Sequence, residues 1–405
     1  MSPRALVTDA QDRSMLAACR SLHAAGYAVS AASDARPAAG QWSRACSARF
    51  RVPPPLHDPA GFVAGLEEIL TRERHDVLML GSDAAVLAVS EHRDRLERLV
   101  KVGLPSRDAV RRCVDKLVLV EQAAAAGVSC PETISCSSLV DASMAAEALG
   151  FPVVLKPRQT VFEIEGQPMQ QSGALAWDAG SLSERFADFG TPCLVQAVVR
   201  GPTVSCSGVI AGEGMIAFAT SRYARTFPPD GGPVAFAETV EPPAGLEQMI
   251  GALLTGMGWQ GVFEVELVES DERLFTIDLN PRPFGSLELI TKAGAPLAAI
   301  WCDWLLGHQA RHVTARPGVR YRWEDADLRH FWWQLRRRRL RAALKVIRPR
   351  RRVAHAFFRL TDPGPFLARI LYLLGRAFGR STEAPAHSVT AKRRDIEGAR
   401  DYPIA

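Results

Sequence analysis

The run Phe275-Thr276-Ile277-Asp278-Leu279-Asn280-Pro281-Arg282 closes an apolar segment with a carboxylate, an amide oxygen and a guanidinium at alternate positions. In a strand, period-two alternation puts Asp278 and Asn280 on one face, and Pro281 stiffens the exit toward Arg282. The preceding run, Gly261-Val262-Phe263-Glu264-Val265-Glu266-Leu267, presents Glu264 and Glu266 on one face in the same way. The turn Glu269-Ser270-Asp271-Glu272 makes the two runs an antiparallel hairpin, with Glu266 near Asp278. Facing carboxylates repel unless a cation or a shared proton intervenes. A hard cation such as Mg²⁺, which takes oxygen ligands and shares them with phosphates, is the economical occupant. The bland alternative is the exposed polar face of an edge hairpin.

Ammonium groups stand far upstream. Only six of the 49 basic residues are Lys, so a Lys kept inside a motif marks a place where a compact ammonium and a planar guanidinium are not equivalent. Lys116 follows Asp115 in a helical segment, and Lys156 ends the apolar strand Pro152-Val153-Val154-Leu155 before Pro157. Taken singly, each reads as a snorkelling surface lysine.

Taken in order, Asp115-Lys116, Phe151 to Pro157 around Lys156, Leu194-Val195-Gln196 with Gly201, Gly261 with Glu266, and Ile277 to Arg282 resemble the ATP-grasp superfamily. The likeness is greatest to its short carbamoyl-phosphate-synthase-like and D-aspartate-ligase-like branch. It covers residues 5 to about 307. The resemblance implies that Lys116 and Lys156 contact ATP phosphates, with Lys156 also nearing the adenine. It implies that Val195, Gln196 and the backbone to Val199 form the strand that hydrogen-bonds adenine. Glu266, Asp278 and Asn280 would hold one or two Mg²⁺ ions, with Mn²⁺ as a substitute, and Arg282 would stabilise the transferring phosphoryl group. Arg222 and Arg225, in the stretch Ser221 to Gly232, would bind a substrate carboxylate or the acyl-phosphate; the alternative is solvated arginines on a hairpin. The chain departs from the family pattern in four places. Ala197 follows Gln196, Thr203 stands near the usual ribose-binding acid, Asp278 replaces a common Glu, and the loop Arg158 to Gly173 is poor in glycine.

The elements that must position these residues are legible in outline. Ala5 to Thr8, Tyr27 to Ser30 and Asp76 to Leu80 read as strands, with helices at Ser14 to Ala25 and Phe62 to Leu70. This βαβα order predicts a parallel sheet. No GxGxxG follows the first strand, which argues against a dehydrogenase. Ser82-Asp83 after the third of these strands sits where an open sheet places functional loops, and also reads as a helix N-cap. Residues 107–128 read as one helix, and Val204 to Val240 as antiparallel strands. The fold class is therefore α/β with an α+β second half. A pre-ATP-grasp parallel-sheet domain is expected over 1–106, an ATP-grasp domain over 107–310, a basic helical segment over 311–380 and a disordered tail over 381–405.

Composition bounds the rest. The chain has 405 residues, 47% hydrophobic and 23% charged, which excludes a largely disordered protein. Its eight cysteines are scattered with no CxxC, so neither a disulfide framework nor structural zinc is expected. Charge is uneven: residues 1–310 carry 26 basic and 36 acidic residues, and 311–380 carry 19 basic and 4 acidic. The basic segment reads as a helical subdomain packed on the acidic body, as a membrane-surface element through Phe331, Trp332, Trp333 and Arg336 to Arg339, or as a nucleic-acid binder, for which no motif is present. The expected activity is an ATP- and Mg²⁺-dependent carboxylate–amine ligase that works through an acyl-phosphate. Alternatives are a bicarbonate-activating, carbamoyl-phosphate-synthase-like enzyme and a non-catalytic ATP-binding switch at a membrane surface. The expected partners are a small-molecule carboxylate and an amine, with peripheral membrane contact through the basic end, a homodimer by default and no nucleic acid. The expected compartment is the cytoplasm.

Overall fold

The computed structural model describes residues 2–377 apart from 213, 230 and 310. The first unit is β1 (Arg4–Val7), α1 (Arg13–Ala24), β2 (Ala28–Ser33), β3 (Cys46–Arg51), α2 (Pro59–Arg72), β4 (Val77–Met79), α3 (Asp83–Glu91) and the single turn α4 (Arg93–Leu96). Its strands form a parallel sheet in the order β3-β2-β1-β4. The chain leaves β1 and β4 side by side; their following loops carry Asp9, Asp12 and Ser82, and Asp83 opens α3. Such crevices at strand C-termini are where open α/β sheets place ligands. Ser82 caps α3, accepting from the Ala85 amide at 3.1 Å. The short strand β3 alternates partly covered Cys46, Ala48 and Phe50 with exposed Ser47, Arg49 and Arg51, a period-two pattern that the sequence reading passed over.

Next come α5 (Arg107–Val114), α6 (Lys116–Ala125), β5 (Thr133–Cys136), α7 (Leu139–Leu149), β6 (Val153–Pro157), the hairpin β7 (Val161–Ile164) and β8 (Gln167–Gln170), β9 (Ala174–Ala176), α8 (Ala179–Phe186) and β10 (Cys193–Ala197). The single helix expected over 107–128 is broken at Asp115. This residue takes an extended conformation and caps α6, its Oδ1 accepting from the Leu117 and Val118 amides at 3.0 and 3.3 Å. The sheet order is β5-β10-β6-β9, with α7 against β5 and β10 and α8 against β6 and β9.

The third unit is one large sheet. It contains β11 (Thr203–Ala211), β12 (Gly214–Thr226), β13 (Val234–Val240), α9 (Leu246–Met257), β14 (Gly261–Ser270), β15 (Arg273–Asn280), α10 (Leu287–Lys292) and α11 (Leu297–Leu305). The path is β15-β14-β11-β12-β13. One face buries Cys206, Phe263, Val265 and Leu267 with Ile250 and Leu254 of α9. Leu287 of α10 and Leu297 of α11 share a core with Ala5, Val7 and Met15 of the first unit, so the two units are packed through common apolar contacts.

The basic segment is not wholly helical, which corrects the expectation for 311–380. It holds β16 (Val313–Thr314), β17 (Arg320–Arg322), α12 (Glu324–Arg336), α13 (Leu340–Ile347), β18 (Val353–His355) and α14 (Gly364–Ala377). β17 and β18 extend the large sheet beyond β13, and β16 pairs with β12. Strands this short carry no periodicity; existing sheet edges recruit them. The segment is bound to the body by a buried ion pair from Arg20 to Asp362 at 3.0 Å. The tail expected over 381–405 lies outside the described residues. No helix among the described residues is long and apolar enough to cross a membrane.

Candidate functional site

β14 and β15 pair with Glu264 opposite Asn280 and Glu266 opposite Asp278, so Glu266 lies near Asp278 as expected. A bulge follows: Leu267 faces Thr276, so Ile277 is the extra residue on β15. Such a bulge re-aims backbone groups, and the freed Ile277 carbonyl accepts from Lys156 Nζ at 2.6 Å. Lys156 arrives on β6 from the second sheet. Gly173 lies alongside, where a Cβ would come within 3.0 Å of the Lys156 side chain.

Lys116 enters from the first turn of α6. Its Nζ lies 3.7 Å from Asp278 Oδ1 and donates to Thr160 Oγ1 at 2.8 Å. Asp115 fixes this turn twice, by capping α6 and by accepting from Arg158 Nε at 2.7 Å. Thr160 and Arg158 belong to the stem of the β7–β8 hairpin. The glycine-poor stretch Arg158 to Gly173 is thus a paired ribbon over the two lysines rather than an open glycine loop.

Tyr223 on β12, which the sequence reading did not single out, completes the acidic side. Its hydroxyl lies 3.1 Å from Glu264 Oε1 and 2.9 Å from Glu266 Oε1. Ser205 Oγ donates to Glu264 Oε1 at 2.8 Å. Asn280 Nδ2 donates to Glu264 Oε2 at 3.2 Å. Burial, reinforced by Glu264 and Asp278, pushes the Glu266 carboxyl up to about 8. Burial also lowers Lys156, with neighbouring Lys116 adding to the effect while Asp278 opposes it.

Arg282 is held rather than free. It forms a bidentate pair with Asp83 at 2.8 and 2.9 Å and donates to Asn280 Oδ1 at 3.1 Å. Asp83 therefore does more than occupy the start of α3: it ties the first sheet to the end of β15. Asp12, at the turn into α1, is pushed up to about 7 by burial and the nearby Asp9 carboxylate, with Arg13 and Arg282 opposing.

The other two arginines lie elsewhere. Strand β12 sets Arg222 opposite Val204 of the apolar face and Glu238 of β13, while the neighbouring Tyr223 takes the carboxylate side. Arg222 pairs with Glu269 at 2.5 Å. A second bulge sets Arg225 opposite Phe236, and its guanidinium makes a bidentate bond with Asp327 at 2.8 Å. Both side chains leave the carboxylate face, so the structure does not bring Arg222 and Arg225 together with the lysines and carboxylates. On β10, Val195 is fully buried, and the strand lies between β5 and β6, so the backbone of Val195 and Gln196 is inside the ladder. Gln196 Nε2 donates to Thr133 Oγ1 at 2.8 Å. The chain leaves the ladder after Ala197, which places the backbone at Val199 clear of strand pairing. Gly201 passes tightly across β14, where a Cβ would run into the Glu269 carbonyl.

The donor set fits a hard cation. Glu266 and Asp278 are facing carboxylates, the first raised by burial and the second 32% exposed, and Asn280 adds an amide oxygen that retains a lone pair beside its bond to Arg282. Among the described residues, no three His, Cys, Asp or Glu side chains form a ready-made cation cage. An ion held here would need oxygens from a bound phosphate, the usual arrangement for Mg²⁺.

No family model matches the sequence. The chain is 22% identical over 227 residues to the carbamoyl phosphate synthase large chain of Vibrio cholerae, covering 52% of this chain and 20% of that protein. It thus spans about a fifth of the length of that relative. Among solved structures, the L-amino acid ligase of Bacillus licheniformis superposes with a TM-score of 0.60 at 13% identity, over 75% of this chain and 74% of that one. The biotin carboxylase domain of the Hydrogenobacter thermophilus 2-oxoglutarate carboxylase, solved with MgADP, ADP and bicarbonate, superposes with a TM-score of 0.60 at 11% identity, over 79% and 74% of the chains. With its lysines and carboxylates meeting between the second and third sheets, and with these structural neighbours, the chain has the ATP-grasp fold.

Proposed function

We propose that the protein is an ATP- and Mg²⁺-dependent ligase that joins a small-molecule carboxylate to an amine through an acyl-phosphate. One observation carries the reading. Lys116, Lys156, Glu266, Asp278 and Asn280, drawn from three parts of the chain, meet in one cleft, with Lys116 and Asp278 only 3.7 Å apart. Phosphoryl transfer needs positioning and charge neutralisation more than covalent help from the protein.

In this reading Lys116 and Lys156 line the cationic wall against which the triphosphate lies. Glu266, Asp278 and Asn280 would hold Mg²⁺, which when bound offsets the negative charge of the phosphates. The substrate carboxylate oxygen attacks the γ-phosphorus and ADP leaves. The amine then attacks the acyl carbon, the bond from that carbon to the phosphate oxygen breaks, and phosphate leaves carrying the proton the nitrogen gives up, giving the amide. Arg282 cannot swing freely, because Asp83 holds it in two bonds. It acts as a fixed donor beside Asn280. The β7–β8 ribbon over the lysines excludes water from the transferred group.

The test is ADP formation with Mg²⁺ and ATP, screened against single amino acids and pooled metabolites, in the native chain and in Asp278→Ala. Turnover that needs both a carboxylate and an amine, and that falls by about a hundredfold or more in the variant, supports the reading. Folded protein with no turnover under any acceptor sinks it. A second reading keeps the site and activates bicarbonate. It is favoured by the likeness to the carbamoyl phosphate synthase large chain and to the carboxylase solved with bicarbonate. ADP formation dependent on bicarbonate alone would select it.

A further inference from the structure

Between Asp327 and Asp362 the chain carries twelve Lys and Arg residues and no acidic residue. The first part of this stretch folds as the hairpin of α12 and α13. Helix α13 buries Ala343 and Val346, yet its other side is also apolar. Leu340, Leu344 and Ile347, at i, i+4 and i+7, are 63%, 62% and 53% exposed. On α12, Leu328 and Trp332, at i and i+4, are 58% and 55% exposed. Single exposed apolar residues are ordinary, but stripes in helical register are not. Arg341, Lys345, Arg348, Arg350 and Arg351 surround them; all five are exposed and make no ion pair among the described residues. The arginines that face acids on this segment do pair, as Arg322 with Asp327 at 2.9 Å and Arg369 with Asp325 at 2.6 Å.

We propose that the α12–α13 hairpin docks the protein on an anionic lipid surface. Leucine and isoleucine stripes gain by entering acyl chains while the flanking cations meet headgroup phosphates and carboxylates. A nucleic acid would use the cations and leave the aliphatic stripe in water. A second copy placed isologously would set the same cations against each other. The proposal does not depend on what the nucleotide cleft does.

The test is flotation of the full chain with vesicles of phosphatidylcholine alone and with a third phosphatidylserine, at low and high salt. Binding is expected to be at least about tenfold tighter to the anionic vesicles at low salt. Leu344→Ser with Ile347→Ser, and separately Arg341→Glu with Lys345→Glu, should each weaken it by about tenfold. All four side chains are exposed, so the thermal midpoint should stay unchanged. Failure to bind anionic vesicles, equal binding to both kinds, or a stripe variant that binds as well as the native chain overturns the proposal. So does a dimer in light scattering that the stripe variant dissolves, or RNA binding that outcompetes vesicles and survives the stripe variant.

Discussion

Arg282 and Asp83 form a bidentate ion pair across 199 residues of sequence, with side chains only 11% and 6% exposed. The pair joins the start of α3 to the end of β15, and so aligns the first sheet with the candidate cation site. Breaking it by Asp83→Ala leaves an uncompensated buried guanidinium. The expected cost is about 3–5 kcal/mol, read from urea midpoints, together with a loss of turnover. A variant as stable as the native chain would show that the pair bears no strain of assembly.

Tyr223→Phe removes a hydroxyl that reaches both Glu264 and Glu266. The expected loss is about 1–3 kcal/mol of stability. Because the hydroxyl orients the carboxylate expected to ligate Mg²⁺, the metal concentration needed for half-maximal ADP formation should rise. Stability loss without a change in metal dependence would confine Tyr223 to packing.

Arg225 separates family expectation from observed contact. Asp327 takes its guanidinium in two bonds on the far face of the sheet. Arg225→Gln should therefore lower the thermal midpoint while leaving kcat and KM within about twofold, whereas a substrate-binding arginine would raise KM by about tenfold or more.

The Asp12 carboxyl, raised to about 7, gives a pH signature. The folded chain holds its proton where the unfolded chain, with an ordinary aspartate, has released it. Between about pH 4 and 7 the folded state binds more protons, so stability falls as pH rises through that window and levels off above it. Asp12→Asn should flatten this decline in thermal midpoints measured from pH 5 to 8. An unchanged slope would assign the decline to other groups.

The acidic hairpin was legible in the sequence because alternation along a strand is geometric. Glu264 with Glu266, and Asp278 with Asn280, each had to share a face of their own strand, but the bulge at Ile277 is what sets the two pairs opposite each other. The two lysines were legible only as a set, since neither stands out from a surface lysine alone. The parallel first sheet followed from βαβα order, and the cap at Ser82 from residue type.

Tertiary structure decided what a single strand pattern leaves open. Parity says that Arg222 and Tyr223 point to opposite faces but not which face meets the carboxylates; the neighbours β11 and β13 settle that. Bulges at Ile277 and around Ala224 shift the alternation by one residue, turning a carbonyl to Lys156 and Arg225 away from the cleft. Pairing of Arg282 with Asp83, and the recruitment of β17 and β18 into the large sheet, depend on surfaces that exist only after distant segments have packed. Sequence therefore determined which groups could form the site, and three-dimensional packing determined which of them face it, because a charge's partner is chosen by distance in space and not by separation along the chain.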